Sequence, residues 1–271
     1  MFFSKRIRLF WWNEIKLQHK QKENYGDLVG KYLVEKISGR KAVWVNPKKF
    51  SVSNWFSPIY VTVGSILSHA TENCIVWGSG IISKDYPINK ATFLAVRGPQ
   101  TRKHLQEQGY KVPEIYGDPA LLLPNYYHPK VEKKYRYGIV PHYNDMKLVK
   151  NWFLTHKDIH IIDMMTNDVE AKTQEFLSCE KIISSSLHGI IIAHAYGIPG
   201  VWQKFSDNVF GDDIKYRDYM ESVKIEFYQN NIKESEYSAD ELEQLFTALP
   251  SLPLESDVEV LKKGLMAVCP F

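Results

Sequence analysis

Two histidines, a run of hydroxyls and a few isolated carboxylates are the side chains best placed in this chain to move protons near neutral pH. In "SSSLHGIIIAHAYGIP" (184–199), Ser184, Ser185, Ser186 and His188 interrupt residues that otherwise read as core. Polar groups are costly to bury unless they are paired, so these four must have partners or work to do. Ile182 and Ile183 read as a strand end, and His188 to Tyr196 as a helix stopped by Gly197 with Pro199 beyond. Serine hydroxyls and free backbone N–H groups at a helix start make an anion site. His188 falls in the first turn, facing that site. His194 comes six residues later, about 240° around the helix, so the two histidines are no metal-binding pair and His194 reads as a structural residue.

Other polar clusters follow apolar runs in the same way. They are Gly64-Ser65, Gly78-Ser79-Gly80, Arg97-Gly98-Pro99 and Gly117-Asp118-Pro119, then Pro141-His142-Tyr143, Asp163 and Gln203-Lys204. Each also has a purely structural reading. Asp118 is a good N-cap with Pro119 at the first helical position, and Gly78-Ser79-Gly80 is as much a tight turn as a phosphate loop. Arg97, directly after an apolar strand, reads better as a ligand contact, and so does His142.

The elements that must position these clusters alternate. Strand-like runs are 8–12, 42–45, 59–64, 74–78, 93–96 and 114–117, followed by 137–141, 159–163, 181–184 and 200–202. Helical patterns lie between them, at 28–38, 100–108, 145–155 and 169–179. Such alternation predicts an α/β fold with parallel sheets and helices on both faces. The polar stretch 125–135 reads as a hinge, giving an N-terminal unit 1–128 and a C-terminal unit 129–271, each with its own core. In doubly wound units ligands bind outside the carboxyl ends of the strands, where the polar clusters fall.

Composition narrows the function. The chain has 271 residues, 44% hydrophobic and 24% charged, with a net charge of +3. That is a globular composition with too little positive charge to suggest nucleic acid, and with room for local basic pockets. Cys74, Cys179 and Cys269 have no framework or zinc spacing, which points to a reducing cytosol and to no metal site. No apolar run is long enough to span a membrane. The opening "MFFSKRIRLFWW" reads as a first strand, Ile7 to Trp12, with a peripheral role for Phe2 and Phe3 at the inner face of the membrane as the alternative.

Six motifs, "NYGD" (24–27), "VWGSG" (76–80), "VRGPQTRK" (96–103), "YGDPALLLP" (116–124), "GIVPHYND" (138–145) and the 184–199 passage, occur in order. In that order and spacing the chain resembles the polysaccharide pyruvyl transferase family, over roughly residues 7 to 225. The resemblance implies a GT-B-like pair of Rossmann-type domains facing a cleft. It implies phosphoenolpyruvate as donor, no further cofactor, and a pyruvate ketal built on two hydroxyls of a sugar in bacterial capsule or exopolysaccharide biosynthesis. The acceptor would be a glycan carried on undecaprenyl diphosphate. Family members often carry Arg before the Leu-His pair, where this chain has Ser186; another cation must then hold the donor.

Matched to that chemistry, Arg97, Lys204 and Arg217 are the candidate donor cations, helped by Ser184, Ser185 and Ser186. His142 and His188 are candidates for acid and base. Asp27 would orient or deprotonate the acceptor, with Asn24, Gly78, Ser79 and Asp118 on the acceptor side. A nucleotide-sugar glycosyltransferase of the same fold would need a ribose-binding acid at a helix end, and none is evident. A non-catalytic carbohydrate-binding protein leaves two histidines beside an anion site unexplained, and a Rossmann oxidoreductase lacks its Gly-x-Gly-x-x-Gly. The C-terminal segments, with a capping box at Ser238 and Glu241 and an apolar stripe at Val258, Leu261, Leu265 and Val268, are expected to cross back onto the N-terminal unit.

Overall fold

Short β-branched runs separated by amphipathic stretches form two parallel sheets in the computed structural model, which describes residues 6–153, 156–233 and 235–271. In the first sheet β1 (Arg6–Phe10) is flanked by β3 (Lys41–Trp44) and β4 (Ile59–Val61), with β5 (Cys74–Trp77) and β6 (Thr92–Ala95) beyond β4. In the second, β7 (Tyr135–Val140) lies between β8 (Ile159–Ile161) and β10 (Cys179–Ser184), with β11 (Gly200–Trp202) at the far edge. Counted within each sheet, both begin 2-1-3-4, the doubly wound order whose switch point lies between the first and third strands. Those points are β1/β4 and β7/β10. The short β2 (Glu23–Asn24) pairs antiparallel with β9 (Met165–Thr166) and ties the halves together.

The run 114–117 is not a strand. Only Tyr116 pairs, in an isolated bridge to Val96, because Gly117 turns the chain at φ +135°. Residues 2 and 3, where a membrane contact was expected, lie outside the described residues.

Helices cover the sheets. α1 (Glu14–Gln18), α2 (Tyr25–Ser38), α3 (Ser53–Phe56), α4 (Pro99–Glu107) and α5 (Leu123–Tyr126) belong to the first half. α6 (Met146–Trp152), α7 (Val169–Leu177), α8 (Leu187–Ala195) and α9 (Ile214–Ser222) belong to the second, followed by α10 (Ala239–Ala248) and α11 (Glu255–Ala267). All nine residues of α8 are buried, as expected of a helix that is apolar all round. His194 is part of that core: Nδ1 lies 3.0 Å from the Tyr219 hydroxyl and Nε2 3.1 Å from the Gly200 carbonyl.

Each half keeps apolar packing of its own, around Ile59 and Val76 in the first and Ile139 and Ile183 in the second, but the two also share a core. One apolar cluster runs from Tyr25, Leu33, Trp77 and Leu121 in the first half to Val140, Ile182, Ile191 and Trp202 in the second. The 3₁₀ turn Pro119–Leu122 is central to it, touching α2, α8 and α11. The 125–135 stretch is tied down at both ends, by Tyr196 Oη donating to the Tyr127 carbonyl at 2.5 Å and Lys134 N to the Ser178 carbonyl at 2.8 Å.

The two C-terminal helices part company. α11 lies against the first half: Trp77 Nε1 donates to the Leu265 carbonyl at 2.9 Å, and Phe271 packs on Tyr60 and Trp77 with ring centroids 4.9 and 5.6 Å away. α10 has its capping box at Ser238 and Glu241 but stays on the second sheet. Its Leu242 joins Tyr137, Ile139 and Ile183, and Glu243 pairs with Arg136 at 2.7 Å and Lys181 at 2.9 Å. The expectation that both helices cross back is corrected by these contacts, which give α10 apolar and charged partners on its own half.

Candidate active site

A cavity of 620 Å³ opens where the carboxyl ends of both sheets meet. The first half contributes Trp12 after β1, Asn24 and Asp27 at the start of α2, Ser65 to His69 after β4, and Tyr86. The second contributes His142 and Tyr143 after β7, Ser186 to His188 after β10, and Phe210 and Lys215 after β11. This is the crevice the doubly wound order dictates, at both switch points.

His188 is held by the first half although it belongs to the second. Its ring lies on Gly26, where an added Cβ would fall 2.3 Å from Nδ1. Its Nε2 faces Asp118 Oδ2 at 3.6 Å, and both atoms are buried without a hydrogen-bond partner. Asp118 Oδ1 is occupied, accepting the Ala120 N–H at 2.9 Å as cap of the 3₁₀ turn.

Asp27 stands beside them on the cavity wall. Burial raises its carboxyl to about 7, helped by Glu14, Glu23 and Asp118 and opposed by His188. Glu14 is buried and pairs with Lys20 at 2.8 Å; Lys20 in turn lies 3.9 Å from the Tyr143 ring centre, across the junction of the halves.

His142 is set by backbone rather than by a carboxylate. Its N–H donates to Ser185 Oγ at 2.8 Å, and that hydroxyl donates to Asp145 Oδ2 at 3.1 Å. Burial, with Lys215 and Lys20 nearby, lowers its imidazole to about 4. His142 is therefore neutral at pH 7, fit to accept a proton and not to supply one.

Lys215 is the buried cation of the site. It lies on α9 with Nζ donating to the Phe210 carbonyl at 2.8 Å, and burial, reinforced by Arg97, lowers its amine to about 8. Below that pH it is an ammonium on the wall of the same cavity as the start of α8. Ser186 is the N-cap of α8, and its hydroxyl makes no capping bond. Ammonium, hydroxyl and helix start thus line one cavity, and these are the groups that anion sites use.

Of the residues singled out from sequence, Asn24, Asp27, His142, Ser186 and His188 come together at the cavity. The other candidates stand elsewhere. Arg97 has no exposed surface and spends its guanidinium on Asp218, Ser65 and the Ile81 carbonyl, at 2.9, 2.5 and 2.7 Å. It is a brace behind the wall, not a donor contact. Ser184 donates to the Val140 and Ser186 carbonyls, at 2.9 and 2.8 Å, and Ser185 anchors His142, so both act within the turn.

Gly78 and Ser79 are also behind the wall. A Cβ on Gly78 would lie 2.4 Å from Pro119 Cδ, and Ser79 Oγ donates to the Gly64 carbonyl at 2.8 Å. Asp118 is sealed from solvent and reaches the cavity only through His188. Lys204 is paired with Asp213, and exposed Arg217 with Glu221 at 2.7 Å; neither lines the cavity.

Sequence reasoning missed Lys215, and also the aromatic wall of Trp12, Tyr86 and Phe210. The signal for Lys215 was its place on the helix after β11, the strand that neighbours β10. "DDIKYRDY" (212–219) offers two basic residues, and Arg217 is the one that faces out.

A cleft at the carboxyl ends of two parallel doubly wound sheets, lined by a buried lysine, a helix start and several ionisable groups, defines an α/β protein of the doubly wound class. The particular family follows from the sequence. The model of the polysaccharide pyruvyl transferase family matches residues 24–202, and the chain belongs to that family. Uncharacterized protein L143 of Acanthamoeba polyphaga mimivirus is 35% identical to it over 211 residues, covering 75% of this chain and 72% of that protein. Among the described residues no group of three His, Cys, Asp or Glu side chains is arranged to hold a metal, and no helix is long and apolar enough to cross a membrane.

Proposed function

We propose that this chain transfers the pyruvyl group of phosphoenolpyruvate to two hydroxyls of a sugar, closing a cyclic ketal and releasing phosphate. The observation that carries this reading is the joining, in one cavity, of Lys215 and the open start of α8 with Asp27, His142 and His188. The donor's phosphate and carboxylate suit the ammonium and the helix N–H groups. With Ser186 in place of an arginine, Lys215 takes the role of donor cation.

The reaction needs a proton at the vinyl CH₂, and Asp27, raised to about 7, is protonated in about half of the molecules at neutral pH. Protonation leaves an oxocarbenium-like carbon. The first sugar hydroxyl forms its C–O bond there and gives its proton to a base, for which His188 and neutral His142 are placed. Loss of phosphate regenerates the cation, and the second hydroxyl closes the ring and gives up its own proton. Two protons are released from the hydroxyls; one replaces the proton taken up at CH₂ and the other goes to the departing phosphate. Asn24 at the α2 start and the rings of Trp12, Tyr86 and Phe210 form the acceptor wall, where aromatic faces suit the C–H face of a sugar.

The mouth of the cavity fits an acceptor carried on lipid. Lys48 lines the cavity, and the segment after it exposes Lys49, Phe50 and Phe56, the two rings being 81% and 82% accessible. Bases and aromatics together favour an anionic bilayer surface. A GT-B-like pairing of the two parallel sheets is part of this reading. The test is phosphate release from phosphoenolpyruvate against a panel of free and lipid-linked glycosides, with the product checked for a ketal by mass and NMR. Release that depends on a glycoside and leaves a ketal supports the reading; no release with any member of the panel opposes it.

A further inference from the structure

We propose that Asp118 is the positioning residue of His188, fixing which ring nitrogen carries the proton and holding the imidazolium once it forms. The inference starts from two orphans. Asp118 Oδ2 and His188 Nε2 are buried, neither has a hydrogen-bond partner, and they face each other at 3.6 Å. A buried carboxylate oxygen left unpaired is strongly unfavourable, and the other oxygen of Asp118 is fixed by the Ala120 N–H at 2.9 Å. The separation is slightly longer than a hydrogen bond, and catalytic contacts commonly tighten only when substrate closes the site.

The surrounding residues favour one arrangement. Gly26 seats the ring from below, with room for no Cβ. Asp118 is presented by the 3₁₀ turn Pro119–Leu122, which is packed against α8, so carboxylate and ring ride on elements in mutual contact. Only Nε2 of the two ring nitrogens is sealed without a partner. With its proton on Nε2 and directed at Asp118, His188 keeps the Nδ1 lone pair for the cavity. When Nδ1 accepts a hydroxyl proton, the charge that appears lies beside a carboxylate. The other ionisable groups of the cavity are Asp27, Glu14, Lys48, His69 and Tyr86 from the first half, and His142, Tyr143 and Lys215 from the second. Asp27 balances the charge less well while it holds a proton, and Lys215 disfavours it. Asp118 is the group that can secure both tautomer and charge.

The role of His188 as a base rests on the pyruvyl-transfer reading; its tautomer does not. The experiment is ¹⁵N NMR of the imidazole in the full chain, with the signal assigned through His188→Gln, on wild type and Asp118→Asn. Asparagine keeps an oxygen for the Ala120 cap and removes the charge. The expected result is the Nε2–H tautomer in wild type, with that preference lost in Asp118→Asn. In parallel, kcat should fall at least tenfold while the KM for phosphoenolpyruvate stays within about twofold, a split that loss of structure would not give. An Nδ1–H tautomer in the wild-type protein overturns the proposal even if the variant fails to fold. The same Nε2–H tautomer kept in a folded Asp118→Asn overturns it too. If wild type turns over no phosphoenolpyruvate, pyruvyl transfer fails while the NMR result still decides the pairing.

Discussion

Arg97 and Asp218 form an ion pair with no exposed surface, Nε to Oδ2 at 2.9 Å, across the two halves of the chain. Asp218 also accepts the Thr101 N–H at 2.8 Å and the Thr101 hydroxyl at 2.6 Å. The backbone makes room for the pair: a Cβ on Gly80 would lie 2.4 Å from the guanidinium carbon, and one on Gly98 2.0 Å from the Asp218 carbonyl oxygen. Removing one member strands the other, at a typical cost of about 3–5 kcal/mol. Arg97→Ala should therefore lower the denaturant midpoint sharply, and Arg97→Lys should recover little, since one ammonium cannot reach three partners placed for a fork. Urea unfolding of both variants checks this. A wild-type midpoint with a raised KM for phosphoenolpyruvate would return Arg97 to the donor site.

Gly26 is a second point where space decides. Its missing Cβ is filled by the His188 ring, and a methyl group there would come within 2.3 Å of Nδ1. Gly26→Ala must displace the ring or the start of α2, so turnover should drop by about 10² or more, the usual worth of a positioned acid or base. Steady-state kinetics beside a thermal melt separates the outcomes. A folded variant with normal turnover would show that His188 can leave its seat without consequence.

Much of the site was legible because the fold rule is strict. Parallel α/β strands end at one edge, so a polar residue after an apolar run is a residue at the crevice, and this located His142, Ser186 and His188, while Asp27 came from the motif "NYGD" and the family resemblance. What the rule does not give is which way a side chain turns. Arg97, Gly78 and Ser79 follow strands as required, yet turn away from the crevice: Arg97 meets the carboxylate of Asp218 across the halves, while Ser79 and Gly78 pack on Gly64 and Pro119 within the first half. The shared core was hidden for a related reason. Leu121 and Leu122 read as ordinary helix residues, and only the tertiary structure shows that they pack beneath α8.

Asp27 makes stability depend on pH in a stated direction. Its carboxyl moves from the ordinary 3.8 to about 7, chiefly by burial. Between those values the folded chain holds a proton that the unfolded chain has lost. Stability from this group is thus greatest at low pH and declines as pH rises through about 7. Asp27→Asn cannot ionise and loses this dependence. The stability of Asp27→Asn relative to wild type should rise from pH 5 to pH 8, as read from urea unfolding at each. An equal difference at both pH values would mean that Asp27 titrates as a solvated carboxylate.

Lys215 gives the sharpest test of how the donor is held, because its charge can be switched without a mutation. Burial, with Arg97 adding to it, brings its amine down to about 8, so the ammonium is lost over a range in which phosphate and carboxylate keep their charges. The KM for phosphoenolpyruvate should then be flat below pH 8 and climb above it. A bound anion favours the ammonium, so the rise belongs to free enzyme and is confirmed by the Kd of phosphoenolpyruvate, since loss of the Asp27 proton above about 7 lowers kcat/KM by itself. Hydrogen bonds to charged groups contribute about 1.5–3 kcal/mol, and Lys215→Met should raise KM by roughly 10- to 100-fold at pH 7. Lys215→Arg retains a cation that does not titrate. Even if its longer fork fits less well, its KM should show no rise between pH 7 and pH 9. Should Lys215→Arg keep the alkaline rise of the wild type, another group is titrating and the donor cation lies elsewhere.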